Sequence, residues 1–116
     1  MKDCVFCKIT RGEVLTELHY ESKNVIAFSD INPVAPVHIL IIPVEHVESA
    51  NDLEKEHYKV IGEMFLTAKQ LAKENDIADS GYKLLIRTGA DGGQEVPHLH
   101  LHLIGGAPLS EDIHPK

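Results

Sequence analysis

The sequence predicts an α+β fold, with a mostly antiparallel sheet of about five strands, one long helix and one short N-terminal helix. Three observations carry that prediction. Apolar residues recur at helical spacing from Leu53 to Ala72, which makes one amphipathic helix. Several short runs rich in β-branched residues are separated by brief turns, the pattern of strands that pair with their neighbours. In Pro97-His98-Leu99-His100-Leu101-His102-Leu103-Ile104, histidine and an apolar residue alternate for three cycles, the period of a half-buried strand.

Taken in order, Cys4-Val5-Phe6-Cys7 opens the chain as a C-x-x-C pair. Lys8-Ile9-Thr10-Arg11-Gly12 follows as a short helix closed by glycine. Val14 to Tyr20 and Val25 to Phe28 are predicted strands around the polar turn Glu21-Ser22-Lys23-Asn24. Residues 29–36 form a loop fixed by Pro33 and Pro36. His38 to Ile42 is a third strand, buried on both faces and stopped by Pro43.

Asn51 or Asp52 caps the long helix, and Asp52, Glu54 and Glu56 suit the positive end of its dipole. Its stripe of Leu53, Ile61, Met64, Phe65, Ala68, Leu71 and Ala72 is core rather than partner surface. The helix is expected to end near Asn75. Tyr82 to Thr88 is a fourth strand, and the turn Gly89-Ala90-Asp91-Gly92-Gly93 joins it to the histidine strand as a hairpin. Gly105-Gly106 ends that strand, and residues 107–116 are irregular.

At 116 residues, the whole chain, 1–116, is expected to be a single domain. Hydrophobic content of 43% and charged content of 25% are ordinary for a soluble globule. The net charge of −7 argues against a nucleic-acid or membrane surface built on bulk charge, so an anionic ligand must be held by local groups. The N-terminus carries no apolar leader, and no run reaches the roughly 18 apolar residues of a membrane span. A cytoplasmic location follows as the expectation, and with it no structural disulfide between Cys4 and Cys7, the only two cysteines.

Alternate strand residues stand about 6–7 Å apart on one face, so the three imidazoles of the histidine strand are expected to point the same way, over a core side of Leu99, Leu101 and Leu103. Thr, Tyr or Lys would serve a merely solvated strand face better than histidine. Three chemistries fit: a metal site with several imidazole ligands, covalent catalysis with one histidine attacking phosphorus, and a proton relay or pH switch. Backbone N–H groups between Gly89 and Gln94 can form an anion-holding nest or a plain turn.

His98 to Ile104 matches the histidine triad motif, in which three histidines alternate with apolar residues. Asp30-Ile31-Asn32-Pro33-Val34-Ala35-Pro36-Val37-His38 and Gly89-Ala90-Asp91-Gly92-Gly93-Gln94 resemble two further segments of that family, in the same order. The resemblance runs from Cys4 to Gly106. The Gly105-Gly106 ending and small size are most similar to the Hint branch, the histidine triad nucleotide-binding proteins.

The resemblance implies a HIT-like fold and a homodimer whose two sheets join. It also implies hydrolysis of nucleoside 5′-monophosphates linked to an amine or another leaving group, with a purine nucleoside phosphoramidase reaction as the leading reading. That reaction passes through a nucleotidyl-histidine and needs no catalytic metal. Carried over by position, His100 is the nucleophile, His38 and His102 contact phosphate, and His38 shuttles a proton to the leaving amine. Asp30 accepts from the ribose hydroxyls. Ile31, Phe6 and Leu40 line the base pocket, and Gln94 with the N–H groups near Gly93, Glu95 and Val96 stabilises charge on the phosphate. Two positions depart from the family pattern. Many relatives have asparagine in place of Arg87, and serine or threonine in place of Glu95, so Arg87 either adds a phosphate contact or points outward.

Cys4 and Cys7 suit half of a tetrahedral zinc site. Some microbial relatives complete such a structural zinc site with two histidines, and these match His46 and His98. A thioredoxin-like redox pair lacks its preceding strand, and two free thiols are the remaining alternative. His19, His57 and His114 are expected on the surface without partners. Three other functions compete with the phosphoramidase: a dinucleoside polyphosphate hydrolase, a non-catalytic nucleotide-binding or scaffold protein, and a metal-dependent hydrolase that uses the triad as ligands.

Overall fold

The computed structural model describes residues 4–116. In chain order it contains α1 (Val5–Thr10), β1 (Leu18–Glu21), β2 (Val25–Ser29), β3 (Val37–Pro43), α2 (Tyr58–Glu74), β4 (Tyr82–Leu85) and β5 (Leu101–Gly105). The strands form one sheet in the order β1-β2-β3-β5-β4, antiparallel throughout.

Alternation along the central strands divides the core between two faces. Val25, Ala27, Ile39, Ile41, Leu101 and Leu103 point to one side, against Met64, Ala68, Leu71 and Ala72 of α2. Ile26, Phe28, Leu40 and Ile42 point to the other, against Cys4, Phe6, Cys7 and Ile9 of the N-terminal segment. β3 is therefore buried on both faces, as its unbroken apolar run predicts. The short C-x-x-C helix covers the face that α2 leaves open.

The boundaries differ from expectation where another hydrogen bond competes. β1 starts at Leu18 rather than Val14. The Ser29 N–H still reaches Glu17 O, but Asp30 N–H turns to His38 O, so no ladder remains for residues 14–16. α2 begins at Tyr58, after two 3-10 turns at Ala50–Asp52 and Lys55–His57. Ser49, not Asn51 or Asp52, caps the first of these by accepting the Asn51 N–H at 3.1 Å. Leu53 is then extended, with φ −72° and ψ 137°, and interrupts the helix. Phe65 lies at the edge of the helical stripe and is 42% exposed, not core. The helix ends at the cap Asn75 as expected.

β4 stops at Leu85, opposite His102, because the chain ahead of β5 bends away from the sheet. There Leu99 N–H donates to Val47 O instead of to a strand. β4 and β5 are antiparallel neighbours, but residues 86–100 connect them, not a tight glycine turn. No helix among the described residues is long and apolar enough to cross a membrane.

Candidate active site

His98 and His100 precede the regular part of β5, and only His102 lies within it. The leucines still alternate inward, with Leu99, Leu101 and Leu103 all buried against α2. The three imidazoles lie on the other side, as expected, where Phe6 packs on His98 and His100. The His100 and His102 ring centroids are 5.0 Å apart, but the nitrogens of the three rings do not face a common point. Each turns to a different partner.

Those partners fix the tautomers, since a carbonyl only accepts and a backbone N–H only donates. His98 Nε2–H donates to Pro43 O at 2.9 Å, which leaves Nδ1 bare, 3.3 Å from Cys4 Sγ and 3.5 Å from Cys7 Sγ. His100 Nδ1–H donates to His98 O at 2.6 Å, so Nε2 carries the free lone pair. His38 Nδ1 accepts the Val34 N–H at 3.2 Å. Its proton therefore sits on Nε2, 2.9 Å from His102 Nδ1, and the remaining proton of His102 falls on Nε2. That nitrogen is buried and has no partner among the described residues.

Burial keeps these rings neutral. It is the largest influence on His102 and His98, whose pKa values fall to about 4. Neighbouring imidazoles depress both further, while the Pro43 hydrogen bond opposes the shift at His98. Burial also lowers His100 and His38, against the opposing field of Asp30. At neutral pH His100 Nε2 thus carries a bare lone pair, and His102 Nε2 carries a proton.

Both rings line a cavity of about 270 Å³. The structure brings to its wall most of the residues predicted from sequence: Phe6, Asp30, Ile31, Leu40, Arg87, Gly93, Glu95 and Val96. Phe6 meets Phe28 and His100 edge to face, with centroids 5.3 and 5.1 Å apart. Asp30 serves as a turn residue too, its Oδ1 accepting the Asn32 N–H at 2.8 Å. Ile31 is 86% exposed at the cavity mouth.

Two predicted residues lie elsewhere. Gln94 is not on the cavity wall. Its amide braces the loop, accepting from Gly89 N–H at 2.9 Å and donating to Glu48 O at 2.8 Å and Val96 O at 3.0 Å. His38 stands behind His102 and does not reach the cavity. Val14, Leu15, Thr16 and Phe28 also line the wall, unforeseen from sequence. The inward alternation of β2 with Leu40 signals Phe28, but nothing signals Val14 to Thr16, which form no regular element.

The second cluster is the one suggested by the C-x-x-C pair. Cys4, Cys7, His46 and His98 bring one ligand atom each within 4.8 Å of one another, and His46 Nδ1 lies 3.2 Å from Cys7 Sγ. Without a metal, burial and the Cys4 thiol hold the Cys7 thiol up at about 11. His57, expected on the surface, is buried: its Nδ1 accepts the Glu54 N–H at 2.8 Å and its Nε2 faces Glu45 at 3.4 Å. His19 Nε2 pairs with Ser29 Oγ at 2.7 Å, while His114 is exposed.

Residues 3–111 match the family described as "Scavenger mRNA decapping enzyme C-term binding". The chain is 44% identical to a purine nucleoside phosphoramidase of Escherichia coli over 108 residues, 93% of this chain and 91% of that protein. It is also 44% identical to protein HitA of Neisseria gonorrhoeae, over 90% of this chain and 97% of that one. A HIT family hydrolase from Legionella pneumophila superposes with a TM-score of 0.92 at 40% identity, covering 95% of this chain and 98% of its own. A histidine triad protein from Clostridium difficile superposes at 0.91 and 39% identity, covering 95% and 96%.

Proposed function

The chain belongs to the histidine triad family and is a hydrolase of that family, and from this premise we propose that it cleaves purine nucleoside 5′-phosphoramidates through a nucleotidyl group on His100. The observation that supports this most directly is the His100 tautomer. The His98 carbonyl holds Nδ1–H, so the free Nε2 is a nucleophile that needs no separate base.

In the first step the Nε2 lone pair forms a bond to the α-phosphorus. The P–N bond of the substrate breaks, its electron pair going to the amine nitrogen, which takes up a proton from solvent. Water then adds to phosphorus while the bond to Nε2 breaks and returns its pair to the ring. The water gives up a proton, and a nucleoside monophosphate leaves. His102 Nε2–H donates to a non-bridging oxygen throughout, and the buried, unpartnered state of that nitrogen supports the role. Asp30 takes the sugar hydroxyls, while Phe6, Leu40 and Ile31 flank the base.

Zinc fits Cys4, Cys7, His46 and His98 by donor type and proximity. Bound there, it would tie α1 to the segment ahead of β5, and the reaction would not pass through it. A homodimer belongs to the same reading: β4 is an outer strand of the sheet, and Tyr58, Phe65 and Leu66 of α2 are exposed.

The test compares wild type and His100→Ala on adenosine 5′-phosphoramidate, with mass spectrometry of quenched enzyme. The expected result is an adenylylated peptide bearing His100 and a loss of at least about 10⁴-fold in the variant. A variant as active as wild type would refute the assignment. Faster cleavage of diadenosine tetraphosphate than of the phosphoramidate would reassign the enzyme to dinucleoside polyphosphates.

A further inference from the structure

Resting on that reading, we infer that Asp30 is a positioning residue as well as a sugar anchor: it competes with His102 for the single N–H of His38, and sugar hydroxyls remove it from that competition. The Val34 N–H occupies His38 Nδ1 at 3.2 Å, so His38 has one proton to give, on Nε2. Two acceptors flank that nitrogen, His102 Nδ1 at 2.9 Å and Asp30 Oδ2 at 3.4 Å. The other Asp30 oxygen is held by Asn32 N–H at 2.8 Å, which keeps Oδ2 aimed between His38 and the cavity.

Asp30 lines the cavity with its side chain 19% exposed, whereas that of His38 is only 4% exposed. A ligand's hydroxyls can therefore reach the carboxylate but not the imidazole behind it. A carboxylate that accepts from hydroxyls has less acceptor strength left for a third donor. The His38 proton then goes fully to His102 Nδ1. That pins the His102 ring and keeps its own proton on Nε2, where the phosphate oxygen needs a donor. Sugar recognition thus reaches the phosphate site along Asp30, His38 and His102.

The other charged or titratable groups acting on His38 and His102 are His100 and Arg87, whose fields lower the His102 pKa, and Arg87 lowers that of His38 as well. Neither faces the sugar hydroxyls in this scheme, so neither supplies the same coupling.

The two roles of Asp30 separate kinetically. An anchor alone binds ground state and transition state equally, so its loss appears in the half-saturation concentration and not in the rate at saturation. Coupling to His102 appears in the saturating rate. The experiment measures single-turnover rates of the adenosine and 2′,3′-dideoxyadenosine phosphoramidates with wild type and Asp30→Asn. This variant retains the oxygen that caps Asn32 but puts no acceptor opposite His38.

In wild type, the dideoxy substrate should be slower at saturation by about fivefold or more, the size of one redirected hydrogen bond. In Asp30→Asn the two substrates should agree within about twofold. Equal saturating rates in wild type, or a sugar dependence that survives in Asp30→Asn, would overturn the inference. Proton NMR of the His38–His102 hydrogen bond gives a readout without turnover. Adenosine should shift this resonance in wild type and 2′,3′-dideoxyadenosine should not, and a shift with both or with neither would overturn the inference even if the hydrolase assignment also failed.

Discussion

The carbonyl of His98 accepts the Nδ1–H of His100 at 2.6 Å, while the ring of the same His98 faces Cys4 and Cys7 at 3.3 and 3.5 Å. One residue therefore serves the thiol cluster with its side chain and the proposed nucleophile with its backbone. Phe6, between the two cysteines, packs on both rings, at 5.9 Å from His98 and 5.1 Å from His100. Whatever fixes the cluster also fixes the tautomer that the chemistry needs.

Metal content tests that link. Purified protein is expected to hold one zinc per chain, and chelation is expected to lower Tm by at least about 10 °C, because metal binding at such a site contributes directly to folding. His46→Ala removes the most exposed ligand and should reproduce both effects. Elemental analysis far below one metal per chain, or a Tm indifferent to chelator, would return Cys4 and Cys7 to the status of buried free thiols.

Acid stability follows from His102. Its pKa is about 4 in the fold, against the ordinary 6.5 of an unfolded imidazole. Between these values the unfolded chain binds a proton that the native chain does not, so stability falls as pH drops from 6.5 toward 4. The contribution is complete above pH 6.5 and approaches about 1.4 kcal/mol per pH unit inside the window. His102→Gln should flatten the pH dependence of urea unfolding there by up to one proton. An unchanged slope would mean that the ring is not buried neutral.

Much of this was legible in the chain. The two-faced burial of β3 follows from His38 to Ile42. The separation of His98 from His100 and His102 comes only from the resemblance to zinc-binding relatives, and the structure places the His98 ring beside Cys4 and Cys7. What the sequence does not carry is competition for hydrogen bonds. Nothing local says that Leu99 N–H will choose Val47 O, so the histidine segment reads as a strand from its first residue. Nor does the helical stripe show that Ser49 will cap a separate turn. Gln94 carries a polar amide in a segment expected to hold phosphate, and only the folded loop commits that amide to three contacts of its own. The tautomers are further out of reach, because they depend on carbonyls at positions 43 and 98 and on an N–H at position 34.

The loop ahead of the site depends on Gly92. A Cβ there would collide with Thr88 O and lie 2.9 Å from Thr88 N, backbone atoms that cannot swing aside. Gly92→Ala should cost about 2–3 kcal/mol and weaken nucleoside monophosphate binding, since Gly93, Glu95 and Val96 follow directly in the cavity wall. Gly89→Ala is the comparison. Its φ of 71° imposes strain, but no atom lies within 4 Å of the added carbon, so about 1 kcal/mol is expected. Equal losses in urea unfolding would show that backbone conformation, not the close approach to Thr88, governs this turn.

Arg87 faces the cavity, which resolves its direction, and it has no carboxylate within ion-pair distance among the described residues. A Cβ on Gly93 would lie 3.5 Å from its Cδ and 3.7 Å from Nη1, so the side chain runs along the glycine surface of the loop. Its positive field lowers the pKa of His38, His100 and His102 together. A guanidinium in that place is suited to phosphate oxygens, at about 1.5–3 kcal/mol for a charge-assisted hydrogen bond. Arg87→Ala should therefore weaken adenosine monophosphate binding by roughly ten- to a hundredfold and leave adenosine binding almost unchanged. The same substitution should raise the His38 pKa in an NMR titration, because a positive neighbour has been removed. Equal losses for adenosine and its monophosphate would place Arg87 on the nucleoside rather than the phosphate, and no loss for either would leave it a solvated side chain at the rim.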